Sequence, residues 1–247
     1  MRKLVFIAIV CAFMAVPAMA DYSGGWVYYN RIGGYYSGNG GEFTLSTDGG
    51  PGLLLNLSAY AATTKNQTGS TATPSFQTFC VEATEYIASP MEIMVSTTFI
   101  NEGTGAVTGP GSHAILGSLS FGDNLDSRTA YLYTKFAQGT LAGYNYGVGR
   151  AASADALQKA IWSIEGEAGG VISNSFVTLA NTAVASGGEW YGKGIGDVRI
   201  LNTWTPGHVD ESAYKLQDQL YLVPVPGAVL LGMLGLSVAG LKLRKYA

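Results

Sequence analysis

The sequence predicts a mainly β protein of the α+β class, with an antiparallel β-sandwich or barrel-like body and a small helical insertion. Aromatic and apolar runs alternate with glycine turns, and the 247 residues include 34 glycines and 15 tyrosines, which is typical of strands and tight turns. Apolar residues recur at helical spacing in two later segments. We expect one β-rich extracytoplasmic domain over residues 21–222, between a signal peptide (1–20) and a C-terminal sorting signal or transmembrane anchor (223–247).

The first twenty residues have the features of a cleavable secretory signal. Two basic residues precede an apolar run, and Ala18 and Ala20 provide the small side chains that a signal peptidase reads. We therefore expect cleavage after Ala20, in preference to retention of the segment as a membrane anchor. Because Cys11 leaves with the signal, Cys80 is the one cysteine expected in the mature protein.

The first part of the body predicts successive β-hairpins. WVYY, YY, EFTLS and LLLNLSAY are separated by glycine-rich turns, in which glycine and Asn-Gly supply positive φ. A polar loop over residues 61–75 follows. FQTFCVEATEYIA then predicts a strand with Cys80 in its middle and Phe79 on the opposite face, and MEIMVSTTFI predicts another strand.

Two segments predict helices, near residues 127–138 and 154–165. The first has an amphipathic stripe and follows a capping turn, GDNLDS. In the second, Ser153 or Asp155 is the expected cap, and apolar residues recur at helical spacing until Gly166 ends the helix. VISNSFVTLANTAVA is also compatible with a helix, and VRILNTW predicts a strand.

The body of the chain is acidic. The full chain has 14 basic and 17 acidic residues, and the two ends contain five of the basic residues and none of the acidic ones, so the body has 9 against 17, a net charge near −8. Nucleic acid is therefore not an expected partner.

The C-terminal segment predicts a short membrane-associated helix. Residues 227–241 carry no charge and are followed by Lys242, Arg244 and Lys245. At 1.5 Å per residue the run is about 22 Å long, shorter than the ~30 Å hydrocarbon core unless flanking residues extend it. Basic residues after the run predict that the body lies outside the membrane and the tail points to the cytoplasm.

The arrangement before this run resembles a known class of sorting signal. Pro224, Val225 and Pro226 precede a glycine-rich apolar segment and a basic terminus, as in the PEP-CTERM class, and Val225 stands where that class has its name-giving glutamate, as in VPxPA-like variants. The resemblance implies an exported bacterial envelope protein that is membrane-anchored or processed by an exosortase-like enzyme.

Two short motifs in the body resemble the Cys-Gln thioester domains of bacterial surface adhesins. They are Phe79-Cys80-Val81 and LQKAIW, residues 157–162, in the order of that family. The resemblance implies an internal thioester between the sulfur of Cys80 and the side-chain carbonyl of Gln158, which an outside nucleophile such as a lysine amine opens into a covalent attachment. It implies an adhesin with a protein or polysaccharide target, rather than an enzyme.

The chemistry of this pair has physical requirements of its own. Attack of a thiolate on a carboxamide expels ammonia, a poor leaving group, so the step requires fixed proximity, which intramolecular placement supplies to the extent of about 7–11 kcal/mol. The thioester survives only where water is excluded, and Phe76, Phe79 and Trp162 are the expected walls. Gln158 and Trp162 lie one helical turn apart, so we expect Gln158 at the edge of the core.

Other interpretations of the same residues stay open. An unreacted Cys80 is a small buried hydrophobe in a structural or exopolysaccharide-associated matrix protein, or it forms an intermolecular disulfide. A third function is a Cys-dependent hydrolase that pairs Cys80 with His113 or His208. No metal or cofactor is expected, because no ligand pair at metal-binding spacing occurs. Glu165 and Glu167 are expected to be solvated at a helix end.

Overall fold

The computed structural model describes residues 23–37, 40–47, 57–70, 73–83, 85–96, 98–99, 123–167, 173–209 and 211–223. The predictions for the two ends of the chain lie outside these residues, including the cleavage site at Ala18 and Ala20 and the sorting-signal residues Pro224, Pro226, Lys242, Arg244 and Lys245. Within the described residues, no helix has the length and apolar character needed to cross a membrane.

Ten strands and three α-helices are present in the described part of the chain. The strands are β1 (Ser23–Asn30), β2 (Tyr36–Ser37), β3 (Gly40–Gly41), β4 (Phe43–Ser46), β5 (Ser75–Thr78), β6 (Met91–Ser96), β7 (Thr98–Phe99), β8 (Asp123–Asn124), β9 (Val198–Trp204) and β10 (Lys215–Leu222). The helices are α1 (Ser127–Ala137), α2 (Arg150–Glu165) and α3 (Ser175–Val184). The predicted mainly β, α+β class is confirmed.

Six of the strands form one sheet in the order β10-β9-β6-β1-β4-β5. Every neighbouring pair in it is antiparallel. The β2–β3 hairpin and the β7–β8 pair form two small separate ladders. Among the described residues of LLLNLSAY, Leu57–Ala59 form a 3₁₀ turn rather than a strand.

The segment after β5 links the two edges of this sheet. The backbone N–H of Leu220 donates to the carbonyl of Phe79 at 3.0 Å, and the N–H of Val81 donates to the carbonyl of Asp218 at 3.1 Å. Cys80 forms an isolated antiparallel bridge with Gln219. The prediction that Cys80 lies in the middle of a strand was therefore wrong. β5, which pairs with β4, ends at Thr78, and Cys80 lies in the following segment, which pairs with β10.

An aromatic cluster packs α1 against the sheet. The rings of Phe79 and Phe136 meet edge to face with centroids 4.9 Å apart, and both side chains are fully buried, as is Tyr133. Edge-to-face contact adds to the hydrophobic gain from burying such large side chains. The helix contacts β5, β9 and β10, so it covers the place where the two sheet edges meet.

Helix α2 begins earlier than the sequence predicts. Gly149 is its N-cap residue, with φ of 93°, in the left-handed region that favours glycine. Neither Ser153 nor Asp155 caps the helix, because both lie inside it. The hydroxyl of Ser153 accepts from the backbone N–H of Asn145 at 3.1 Å. Gly166, with φ of 83°, ends the helix as predicted.

Helix α1 begins with the predicted capping turn, and Glu165 from the end of α2 lies beside it. The Asp126 carboxylate accepts from the backbone N–H of Arg128 at 2.7 Å, and the Glu165 carboxylate lies 3.3 Å from the backbone nitrogen of Asp126, which donates to it. Glu165 is only 4% exposed, so the prediction that it is solvated was wrong. Burial raises the pKa of Glu165 to about 8.

The raised pKa of Glu165 makes the stability of the protein depend on pH. Between the unfolded pKa near 4.3 and about 8, the folded state binds more protons than the unfolded state, so stability falls as pH rises. We expect Glu165→Gln to increase the free energy of unfolding by about 4 kcal/mol more at pH 9 than at pH 5. Urea denaturation at the two pH values measures this.

Glu189 supplies the control for this experiment. It is mostly exposed, and its pKa is lowered by its hydrogen bonds to Lys135 and Tyr131. Its contribution to stability is present above the unfolded pKa and is lost as pH falls, so Glu189→Gln should cause a small loss at pH 9. Equal effects of Glu165→Gln at both pH values would contradict the assignment.

Candidate thioester site

Cys80 is held by backbone pairing on both sides. The hydrogen bonds of Phe79 and Val81 to β10 flank it, and its bridge to Gln219 fixes its own peptide. The side chain is 0% exposed and is not part of a disulfide. A thiol placed this way has little freedom to move, which is the condition that an intramolecular reaction requires.

Gln158 projects into the core from α2. It is 0% exposed, as are its neighbours Leu157 and Ile161, so the prediction that it lies at the edge of the core underestimated its burial. The helix is anchored at its first residue, where Arg150 forms a bidentate ion pair with Glu42 at 2.6 and 2.7 Å. This anchor lies two helical turns before Gln158 and restricts how the helix can shift.

The structure brings Cys80 and Gln158 into direct contact. Oε1 of Gln158 lies 3.3 Å from both the backbone nitrogen and the sulfur of Cys80, and each of these groups donates to it. Nε2 of Gln158 donates to the carbonyl oxygen of Cys80 at 2.8 Å. The carboxamide is thus clamped against the peptide of Cys80, with its carbonyl group beside the thiol.

The surroundings keep the thiol neutral. Burial raises the pKa of the Cys80 thiol well above its usual range, and the nearby Glu82 raises it further, while an interaction with the indole of Trp162 opposes the shift. Since the thiolate is the reactive form of cysteine, Cys80 is a poor nucleophile toward anything other than a group fixed beside it.

The three predicted walls occupy different places. The ring of Phe76 packs against Tyr60 and Tyr221, with centroids 5.1 and 5.6 Å away, and the ring of Phe79 packs against α1. Both are 0% exposed and belong to the dry core behind the site. Trp162 is the predicted wall that lies beside the sulfur, and it is half-buried.

A buried charge cluster lies next to the site, and the sequence contained no signal for it. Lys215 Nζ hydrogen-bonds to Asp218 and lies 3.6 Å from Glu85 and 3.8 Å from Glu82. The backbone N–H of Asp218 donates to Glu82 at 2.6 Å. Burial, then the charge of Asp218, raise the pKa of Glu82 well above its usual range. The cluster therefore holds Glu82, two positions after Cys80, against β10.

Within the part of the chain that the structure describes, no histidine lies at Cys80. His208 lies at the surface, where its ring stacks on Tyr214 with centroids 3.7 Å apart and Nδ1 lies 3.2 Å from Glu211. His113 lies outside the described residues. Among the described residues there is also no group of three or more His, Cys, Asp or Glu side chains arranged to hold a metal ion.

Comparison with known proteins gives no relative for this chain. No protein family, curated protein or solved structure matches it.

Proposed function

We propose that this protein is an exported bacterial envelope or surface protein in which Cys80 and Gln158 form an internal thioester, and that the thioester attaches the protein covalently to a target. The observation that carries the proposal is the clamped carboxamide, with Oε1 3.3 Å from the Cys80 sulfur in a fully buried position. The signal-like amino end and the sorting-signal-like tail support export and anchoring or exosortase processing. The role is attachment, rather than turnover of a substrate.

The hydrogen bonds of Gln158 favour the bond-forming step. The sulfur of Cys80 attacks the side-chain carbonyl carbon of Gln158, and the negative charge that develops on Oε1 faces the backbone N–H of Cys80, as in an oxyanion hole. The C–N bond then breaks, the thiol proton passes to the nitrogen, and ammonia leaves. One S–C bond replaces one C–N bond, and no oxidant or other co-reactant is required.

Attachment to a target converts the sulfur of Cys80 back to a thiol. A nucleophile on the target attacks the acyl carbon, the S–C bond breaks, and the sulfur takes up the proton that the nucleophile loses. An amine then becomes an amide of the Gln158 side chain, and a hydroxyl becomes an ester. Water would give a glutamate at this position, so the dry core behind Phe76 and Phe79 protects the bond until a target arrives.

We propose further that the body is a closed, barrel-like sheet rather than an open one. Support comes from the backbone hydrogen bonds of Phe79 and Val81 to β10, because β5 and β10 stand at opposite ends of the strand order. Closure removes exposed strand edges. It also places Cys80 and Gln158 where the segment after β5 meets β10.

A structural or exopolysaccharide-associated matrix protein with an inert cysteine is the second candidate. The raised pKa of the Cys80 thiol favours it, because a buried neutral thiol is an ordinary component of a hydrophobic core. The two candidates differ in the covalent state of Gln158, which mass spectrometry determines directly.

The test of the thioester is methylamine incorporation into the purified full-length protein. We expect the untreated protein to be lighter by one ammonia than its sequence requires, and methylamine to be found on the peptide that contains Gln158. Cys80→Ala and Gln158→Glu should each abolish both effects. Gln67→Glu, which changes a glutamine away from the site, should abolish neither.

The inert-cysteine candidate has the opposite outcome. Full sequence mass in the untreated protein, together with no methylamine on the Gln158 peptide, would exclude the thioester. The Cys80 thiol would then react with alkylating reagents only after unfolding, because its side chain is 0% exposed.

A further inference from the structure

A cavity of about 340 Å³ opens beside Trp162, and we call it the Trp162 cavity. Its aromatic lining includes Tyr29 from β1, Trp162 from α2 and Tyr86 from the segment that follows Cys80. Pockets that hold small ligands have volumes of ~300–1,000 Å³ and combine apolar walls with a few convergent polar groups. The cavity has the size of a site for one small molecule or one residue of a polymer.

The rim of the cavity carries an exposed aromatic ring on a fixed backbone. The side chain of Tyr86 is 85% exposed, which leaves its ring accessible to a ligand. Its carbonyl oxygen accepts from the backbone N–H of Gln217 at 2.8 Å, and the side-chain amide of Gln217 donates to the carbonyl of Glu82 at 2.8 Å. These bonds tie the rim to β10 and to the residue two positions after Cys80.

Two opposite charges face the same cavity. Arg31 lines it and stacks its guanidinium over the ring of Tyr36, 3.7 Å from the centroid. Glu85 also lines it, with one carboxylate oxygen 3.6 Å from the ammonium of Lys215. A charged ligand of either sign would meet one like and one opposite charge in this cavity, so neither sign is favoured. A neutral ligand with several hydroxyl groups meets donors and acceptors without opposing a like charge.

We propose that the Trp162 cavity is a non-covalent binding site for a neutral sugar residue of a glycan. A sugar ring has apolar C–H faces that pack on aromatic rings such as Tyr86 and Trp162, and hydroxyl groups at its edge that hydrogen-bond to Arg31, Glu85 and Gln217. The inference does not rest on the thioester, because it requires only the walls of the cavity.

The test is calorimetric titration of the purified full-length protein with neutral disaccharides of glucose, galactose, mannose and N-acetylglucosamine. We expect at least one of them to bind, and Tyr86→Ala to weaken its binding by about tenfold. Tyr191→Ala removes another exposed tyrosine, 62% exposed and outside the cavity, and should leave binding unchanged. Cys80→Ala should also leave it unchanged, which separates this site from the thioester.

A charge variant tests why the ligand should be neutral. Glu85→Gln leaves Arg31 in the cavity without an opposing carboxylate, so a disaccharide ending in glucuronate should bind the variant about threefold or more tightly than it binds the wild type. The proposal is overturned if no neutral disaccharide binds, if Tyr86→Ala and Tyr191→Ala behave alike, or if Glu85→Gln brings no gain for glucuronate.

Discussion

Arg150→Met is expected to lower the free energy of unfolding by about 4 kcal/mol, the loss typical of removing one partner of a buried ion pair. Arg150 is 3% exposed and Glu42 is 0% exposed, and they are joined by two charge-assisted hydrogen bonds of 2.6 and 2.7 Å. The hydroxyl of Tyr144 also donates to Glu42, at 2.5 Å. Methionine fills much of the space but leaves the carboxylate buried without its cation. Urea denaturation of the full-length protein measures the loss.

The loss should grow with pH. Burial raises the pKa of Glu42, and Arg150 opposes that shift, so the pKa rises further when Arg150 is removed. A carboxyl whose folded pKa exceeds its unfolded pKa contributes less stability as pH rises between the two values. Arg150→Met should therefore be more destabilised relative to the wild type at pH 8 than at pH 5.

Two variants make this prediction specific to burial. Arg128→Met removes an arginine whose side chain is 27% exposed and which pairs with Asp126 at 2.7 Å, and it should cost about 1 kcal/mol or less. The double variant Glu42→Met with Arg150→Met removes both buried charges and should be more stable than Arg150→Met alone. A loss from Arg150→Met no larger than that from Arg128→Met would show that the pair does not anchor α2.

Lys215→Met should also cost about 4 kcal/mol, because the lysine is the common cation of three carboxyl groups. Its side chain is 2% exposed, and Glu82, Glu85 and Asp218 surround it. Although burial lowers the pKa of the Lys215 ammonium, Asp218, Glu82 and Glu85 together raise it above its ordinary value. The positive charge is therefore present throughout the neutral range, and its removal leaves buried like charges facing one another.

This effect also has a defined direction with pH. The pKa of Glu82 is raised by burial and by Asp218 and is lowered by Lys215, so Lys215→Met raises it further. The variant can protonate Glu82 at low cost near pH 5 but only at greater cost near pH 8, and the loss of stability relative to the wild type should increase over that interval. Thermal or urea denaturation at both pH values gives the slope.

Lys159 is the matched control for Lys215. It is 49% exposed and pairs with Asp155 one helical turn away at 2.7 Å, a type of pair that contributes about 0.3–0.5 kcal/mol. Lys159→Met should change stability little at either pH. If Lys215→Met were equally mild, the cluster would not be what holds Glu82 against β10.

The sequence predicted those features of the fold that depend on residues close to one another in the chain. The capping turn at Asp126 and the stop at Gly166 are read from one or two residues, because a carboxylate or a glycine acts on its own backbone. The start of α2 was mispredicted for the opposite reason. Arg150, its first residue, is held by Glu42, more than a hundred residues earlier in the chain, and the one local mark of the start is the glycine before it, Gly149.

Part of the candidate site could likewise be predicted from nearby residues, and part of it depends on contacts between distant segments. The motifs around Cys80 and Gln158 could be read from the sequence, and their resemblance to a known family implied that the two residues pair. Their neighbours were not visible: Trp162 could be named as a wall, but the cavity beyond it requires Tyr29, Arg31 and Glu85 to converge from separate segments. Phe76 and Phe79 could also be named as walls, but the sequence did not show that their rings pack against Tyr60, Tyr221 and Phe136.

By itself, the sequence determined the α+β class and the residue types of the candidate chemistry, because periodicity, caps and glycine turns act within a few residues. Only the tertiary structure decided that Cys80 leaves β5 to bridge Gln219, that Gln158 is clamped to its peptide, and that Lys215 gathers three carboxyl groups. These features depend on which distant segments meet, and that is set by burial and hydrogen-bond satisfaction across the whole body.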